Sequence, residues 1–111
     1  MELAANGDFQ TTAGRVQALT TKTNADSPYT ATTSDWTILC DATSGAITVN
    51  LPAATNHTGR VYNIKKTDSS TNNVTVDGNA SETIDGSTTQ VLYSQWDSIT
   101  IQCDGSNWHI I

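Results

Sequence analysis

The chain has 111 residues and a net charge of −6, and only 14% of its side chains are charged, well under the roughly 25% of an ordinary globular domain. That length suits one domain, and the acidic balance excludes a nucleic-acid binder, whose partner's phosphates demand a basic face. No apolar run approaches membrane-span length, and Thr (20), Ser (10) and Asn (9) dominate the polar residues, a composition that suits strands and turns and disfavours helices.

Residues 1–28 carry little periodicity. In "FQTTAGRVQALTTKTNADS" the apolar anchors Phe9, Val16 and Leu19 stand among Thr and Ala, which predicts a weakly ordered N-terminal arm that becomes ordered on a partner. "MELAANGDFQ" has an acidic second residue and no hydrophobic stretch, so a secretory signal is not expected and synthesis in the cytosol is. Pro28 closes this section.

From Tyr29 onward, short alternating runs are separated by turn residues. "WTILCD", "AITVNLP", "RVYNIKK", "NVTVDG", "TTQVLYS", "DSITIQCDG" and "NWHII" read as strands, with "YTATT" opening the sheet. Alternation places Ile38, Cys40, Ile47, Val49, Leu51, Ile64, Val74, Val76, Ile99, Ile101 and Cys103 on inward faces. Asp77-Gly78, Asp85-Gly86 and Asp104-Gly105 mark tight turns or bulged connections. "AITVNL", "NVTVDG" and "SITIQC" echo one another, with starts at 46, 73 and 98. The uneven spacing falls short of a solenoid period, and Thr alternating with Val or Ile is how any half-solvated strand reads. Residues 29–111 therefore predict one all-β domain, an antiparallel β-sandwich of jelly-roll-like order, preceded by the extended arm of residues 1–28.

Chemistry finds little to use. His57 and His109 lack a nucleophile motif, and Asp77, Glu82 and Asp85 lie in turn-like sequence where solvation is the default, so neither an enzyme nor a cofactor is expected. "DGNASETID" has oxygen ligands at the wrong spacing for an EF-hand. Cys40 and Cys103 each extend an apolar strand face, as buried free thiols do, although a bridge between neighbouring strands stays open. Arg60, Lys65 and Lys66 read as an exposed strand face or end, or as a contact with an acidic neighbour. Trp36 and Trp108 read as core. Trp96, in "YSQWDS", also reads first as core, but it stands just before a strand and is a candidate exposed aromatic contact.

Taken in order, "YTATTSDWTILCDATSGAITVNLPAA", "TGRVYNIKKTDSSTNNVTVDG", "ETIDGSTTQVL" and "DSITIQCDGSNWHII" resemble a β-rich module of tailed-bacteriophage virion proteins, found near the ends of tail-fibre-like proteins and in small head-surface proteins. The resemblance covers Tyr29 to Ile111. It implies an all-β unit used as a homotrimer, with loops displayed outward and no catalytic residues. A short chain with an arm and one β unit suits a capsid decoration (cement) protein on the virion's outer surface, made in the host cytoplasm, whose arm grips the major capsid protein through Phe9, Val16 and Leu19. The alternative is the distal receptor-binding module of a tail fibre recognising host-surface glycans. A free carbohydrate-binding module is a third reading. No nucleic acid and no membrane is expected as a partner.

Overall fold

The computed structural model describes residues 16–111. Among these the chain forms β1 (Leu19–Thr23), a single 3-10 turn (Asn24–Asp26), β2 (Tyr29–Thr30), β3 (Thr37–Asp41), β4 (Ile47–Asn50), β5 (Val61–Lys66), β6 (Val74–Asp77), β7 (Thr89–Leu92), β8 (Ser98–Cys103) and β9 (Trp108–Ile110). The fold is all-β, as the composition requires. The strands make two sheets, one of order β9-β8-β5-β3-β1 and one of order β2-β4-β6-β7.

The connectivity departs from the antiparallel order expected. Four of the seven strand pairs among the described residues, β1–β3, β3–β5, β2–β4 and β4–β6, are parallel. From β1 to β6 the chain alternates between the two sheets, so each pair of strands is one coil stacked on the previous coil. Ile38 lies against Ile64 in the larger sheet, and Ile47 and Val49 lie against Val74 and Val76 in the smaller. The echo between "AITVNL" and "NVTVDG" is thus a true coil-to-coil register. "SITIQC" belongs to β8 in the other sheet and runs antiparallel to β5. Alternation could not reveal this, because a half-buried strand has period two whichever way its neighbour runs. The Thr-, Ser- and Asn-rich connections read as hairpin turns, but they carry the chain across to the opposite sheet.

The chain then reverses. Strand β7 returns antiparallel to β6, β8 antiparallel to β5, and β9 antiparallel to β8. Ile84 bridges to Trp108, and Trp108 stacks on Tyr62 with ring centroids 5.6 Å apart. All three side chains are fully buried, so the last coil is closed by apolar groups. Ile84–Ser87 is a two-residue hairpin whose loop residues, Asp85 and Gly86, both have positive φ, as a type I′ turn requires. Gly78 has a different role: a Cβ there would run into the Glu82 carbonyl oxygen.

The inward faces of both sheets form one core that includes Ile38, Cys40, Ile47, Val49, Leu51, Ile64, Val74, Val76, Ile101 and Cys103, with Ile99 only partly buried against it. This sandwich-like core contains the positions that alternation selects, and adds Tyr62, Ile84, Leu92 and Trp108. Trp36 is half-buried and is not part of it. Both cysteines are buried free thiols.

Two further corrections concern the ends of the core. The ordered sheet begins at Leu19, inside the segment read as arm, because β1 pairs in full with β3. Its inward positions are Thr20 and Lys22, which left no apolar alternation to see. Lys66, read as exposed, is fully buried. It ends β5 on an inward position and donates from Nζ to Asp68 Oδ2 at 2.7 Å. Asp68 in turn accepts from the Ala42 backbone N at 2.7 Å, 26 residues earlier, so the pair ties the corner of one coil to the corner of the next. Ser70 and Asn72 complete this corner by donating to the Ala42 carbonyl oxygen at 3.1 and 2.8 Å.

Candidate functional site

Four surface features hold residues with work to do: the end of the stack at the first coil, the outer face of the larger sheet, the turn from β7 to β8, and a groove beside Trp36.

At the first coil, β1 and β2 are the terminal strands of their two sheets among the described residues. Phe9 lies outside those residues. Val16 is 98% exposed and Leu19 is 66% exposed, so the two anchors that the structure describes face solvent. A polar cluster steadies this end. The Asp35 carboxylate accepts from Tyr29 Oη at 2.6 Å, Thr32 N at 2.9 Å and Thr20 Oγ1 at 2.9 Å. Burial pushes Asp35 upward, but these hydrogen bonds outweigh it and hold the carboxyl below its usual range. Burial and the adjoining Asp35 push the Tyr29 hydroxyl up to about 12.

The outer face of the larger sheet carries Thr37, Leu39, Val61, Asn63, Thr100 and Gln102, all half-buried although they point away from the core. Asn63 donates to Thr37 Oγ1 at 3.2 Å and accepts from Thr100 Oγ1 at 2.8 Å, giving a hydrogen-bonded rung across three strands. No ionised side chain stands among these six. Asp41 and Lys65 point outward on β3 and β5 as well, Lys65 being the register partner of Leu39, and the exposed His109 lies opposite Gln102. His109 Nε2 contacts Asp104 Oδ2 at 2.7 Å in an exposed pair. The Asn107 backbone N–H, His109 and the Ser106 backbone N–H hold the Asp104 carboxyl down to about 2.

The β7–β8 turn presents six consecutive exposed residues, 93–98. Trp96 is 59% exposed and Tyr93 is 62% exposed. Asp97 N donates to Ser94 O at 3.1 Å, and Trp96 occupies the third position of this turn with φ +74°, the left-handed site that a type II turn reserves for Gly or Asn. For an L-residue this conformation costs roughly 1–2 kcal/mol. The turn is braced from several sides. Trp96 N donates to Lys66 O at 2.8 Å, Gln95 Nε2 to Thr67 O at 3.1 Å, and the Asp97 carboxylate accepts from Tyr93 N and Ser94 N at 3.2 and 3.0 Å. The Lys65 ammonium sits 5.6 Å from the Trp96 ring centroid.

The groove beside Trp36 encloses about 330 Å³ and is lined by Trp36, Asn56, His57, Thr58, Gly59, Arg60 and Val61. His57 Nδ1 lies 2.7 Å from Ala53 O and 3.1 Å from Thr55 O, so that ring nitrogen is engaged by its own loop. Among the described residues no group of three His, Cys, Asp or Glu side chains is placed to hold a metal ion.

The structure does not bring the sequence-selected residues together. Val16 and Leu19 belong to the first coil, whereas Trp96 belongs to the β7–β8 turn near the second and third coils. The features that sequence reading missed are the cluster of uncharged side chains on the outer face and the strained backbone under Trp96. Parallel register, which creates the first, leaves no mark in one strand's pattern. Positive φ at a tryptophan runs against residue preference and has no local signal.

Fold and surface together define an all-β module whose distinctive side chains lie on its outside. No protein-family model matches the chain, and a search of curated proteins finds no match.

Proposed function

We propose that this chain is a structural protein of a tailed-bacteriophage virion: a homotrimeric decoration (cement) protein that binds the major capsid protein on the outer surface of the head through its N-terminal arm. The ordered series of segments from Tyr29 to Ile111 supports the phage assignment by resemblance. The observation that carries the self-association is the outer face of the larger sheet. Six half-buried, uncharged side chains cluster there beside Asp41 and Lys65, and covering them between subunits would relieve the small core of one 111-residue chain. The exposed Val16 and Leu19, on the segment entering β1, support a docking path that starts at the first coil. Co-sedimentation with undecorated capsids tests the reading. Full-length protein is expected to pellet with heads, and protein that ignores heads but adheres to host cells defeats it.

A second reading, the distal module of a tail fibre, draws on the display of Tyr93 and Trp96. Antibody labelling of intact virions separates the two, at heads for the first and at tail tips for the second.

A further inference from the structure

We infer that the β7–β8 turn is a glycan-binding platform, with Trp96 stacking on the face of a pyranose ring and Lys65 selecting acidic sugars. This goes beyond the head-surface reading and does not need the fibre reading, since a glycan can be met from either place on a virion.

The inference begins with a conflict that the fold could have avoided. The third position of the Ser94–Asp97 turn has φ +74°, where Gly is free of strain and Asn nearly so. A bulky aromatic there is an outlier, and such outliers persist where surrounding structure holds them and a function uses them. The holding structure is present: the Trp96, Gln95 and Asp97 hydrogen bonds fasten the turn to Lys66, Thr67 and its own backbone. Core packing does not explain the choice, because the ring is 59% exposed. The backbone is thus constrained to carry an aromatic face into solvent.

The surroundings decide the ligand class. A protein hot spot sits in a well-packed pocket ringed by contacts that exclude water, whereas residues 93–98 are all exposed. Trp96 is flanked in sequence by the exposed Tyr93, Ser94, Gln95 and Asp97, a second aromatic among hydrogen-bonding groups, and Lys65 lies beside its ring. A pyranose has the matching form. One face carries axial C–H bonds whose positive edges meet the negative π-face, and the rim carries hydroxyls for polar neighbours. Lys65 adds an ammonium 5.6 Å from the ring centroid, a cation for a sugar carboxylate, while the neighbouring Asp97 carboxylate is already bound through Oδ2 by the Tyr93 and Ser94 backbone N–H groups.

The test uses the full-length chain and a panel of methyl pyranosides of gluco, galacto and manno configuration, each with its uronic-acid counterpart. Titrations are followed by the Trp96 indole N–H signal in NMR and by saturation transfer to the sugar C–H protons. The expected result is a shift of the Trp96 signal alone among the three indoles, stronger for at least one uronoside than for its neutral partner. Trp96→Gly and Trp96→Asn should each lose saturation transfer while melting no lower than the parent, because they remove strain along with the ring. Lys65→Met should keep neutral-sugar binding and lose the acidic preference. The inference is overturned if no sugar in the panel moves the Trp96 signal, or if Trp96→Gly and Trp96→Asn both melt well below the parent, which would make the ring a packing element. It is also overturned if the Trp96 variants lose self-association or capsid pelleting while sugars leave the parent unchanged, since Trp96 would then be a protein contact. Capsid pelleting that persists in variants without sugar binding leaves the head-surface reading standing on its own.

Discussion

Lys66 illustrates how far a single residue can depart from its usual habit. Its ammonium is fully buried, and it is compensated by Asp68, whose carboxylate also accepts from Ala42 and Ser70. Removing one partner leaves the other uncompensated, so Asp68→Asn is expected to cost roughly 3–5 kcal/mol in urea unfolding. Burial pushes the Asp68 carboxyl up, but the Lys66, Ser70 and Ala42 hydrogen bonds outweigh it and hold the group well below the carboxylate range. Its stabilising contribution is therefore complete above the unfolded value near pH 4 and is lost as pH falls through the depressed folded value. Asp35 is shifted in the same direction and adds to the same trend. The melting temperature should be flat from about pH 7 to 5 and fall below about pH 4, and Asp68→Asn should flatten that fall. The core makes a simpler prediction. Ile101 is fully buried between β5 and β9, and Ile101→Asp should abolish cooperative folding, since an unpaired buried carboxylate costs several kcal/mol against a total of about 5–15. Circular dichroism through a thermal ramp checks it, and a cooperative transition in the variant would refute the placement. Burial, joined by the charge of Asp68, pushes the Cys40 thiol up to about 12, and burial also raises Cys103. Alkylation without reductant should label neither in folded protein and both after denaturation, as read by mass.

At the scale of elements, β1 is the strand whose role changed most between sequence and structure. It pairs over its whole length with β3, from Leu19↔Thr37 to Thr23↔Asp41. Removal of 1–27 takes away β1 and the Thr20 contact to Asp35 and should cost at least ~2 kcal/mol relative to removal of 1–15, which keeps β1. Comparison of the two truncations by urea titration decides whether the stable unit begins before or after Leu19. Equal stability would mean that β1 contributes nothing to the stack. The docking experiment should accordingly use the shorter truncation, because loss of capsid binding after removal of 1–27 would confuse a missing arm with a frayed first coil.

For the whole molecule, stacking two sheets by parallel coils places a cluster of uncharged side chains, Thr37, Leu39, Val61, Asn63, Thr100 and Gln102, on the outer face of the larger sheet beside Asp41 and Lys65. If three subunits meet there, a charge placed on that face should separate them without unfolding them. Leu39 is half-exposed on the outward side of β3, so Leu39→Lys is expected to retain its circular dichroism spectrum and sediment as a monomer, with the parent sedimenting as a trimer. A parent that sediments as a monomer, or a variant that remains trimeric, would remove this face from the assembly. In such an assembly the acidic balance of the chain, −6 per subunit, would favour dispersed trimers over further association.

The sequence by itself determined the elements that depend on local chemistry. Alternation marked β3, β4, β6 and β8 and most of the inward residues, because a strand with one buried face must repeat every two residues. Asp85-Gly86 marked a tight turn, because few other residues accept two positive φ values in succession. The place of Trp96 just before a strand marked it as a candidate exposed contact, although core packing is its first reading. What only the tertiary structure decided has a common cause: it depends on which strands lie side by side. Parallel and antiparallel neighbours impose the same period on a strand, so the coil stack was invisible even where its register left an echo between Ile47 and Val74. Alternation with Tyr62 and Ile64 puts Lys66 on the inward face, but its charge speaks against burial until Asp68, tied to Ala42 of the previous coil, is in place to accept from it, and β1 could be recognised only once β3 offered its edge. The positive φ of Trp96 arises from contacts with Lys66 and Thr67, which a window of sequence around the tryptophan does not contain.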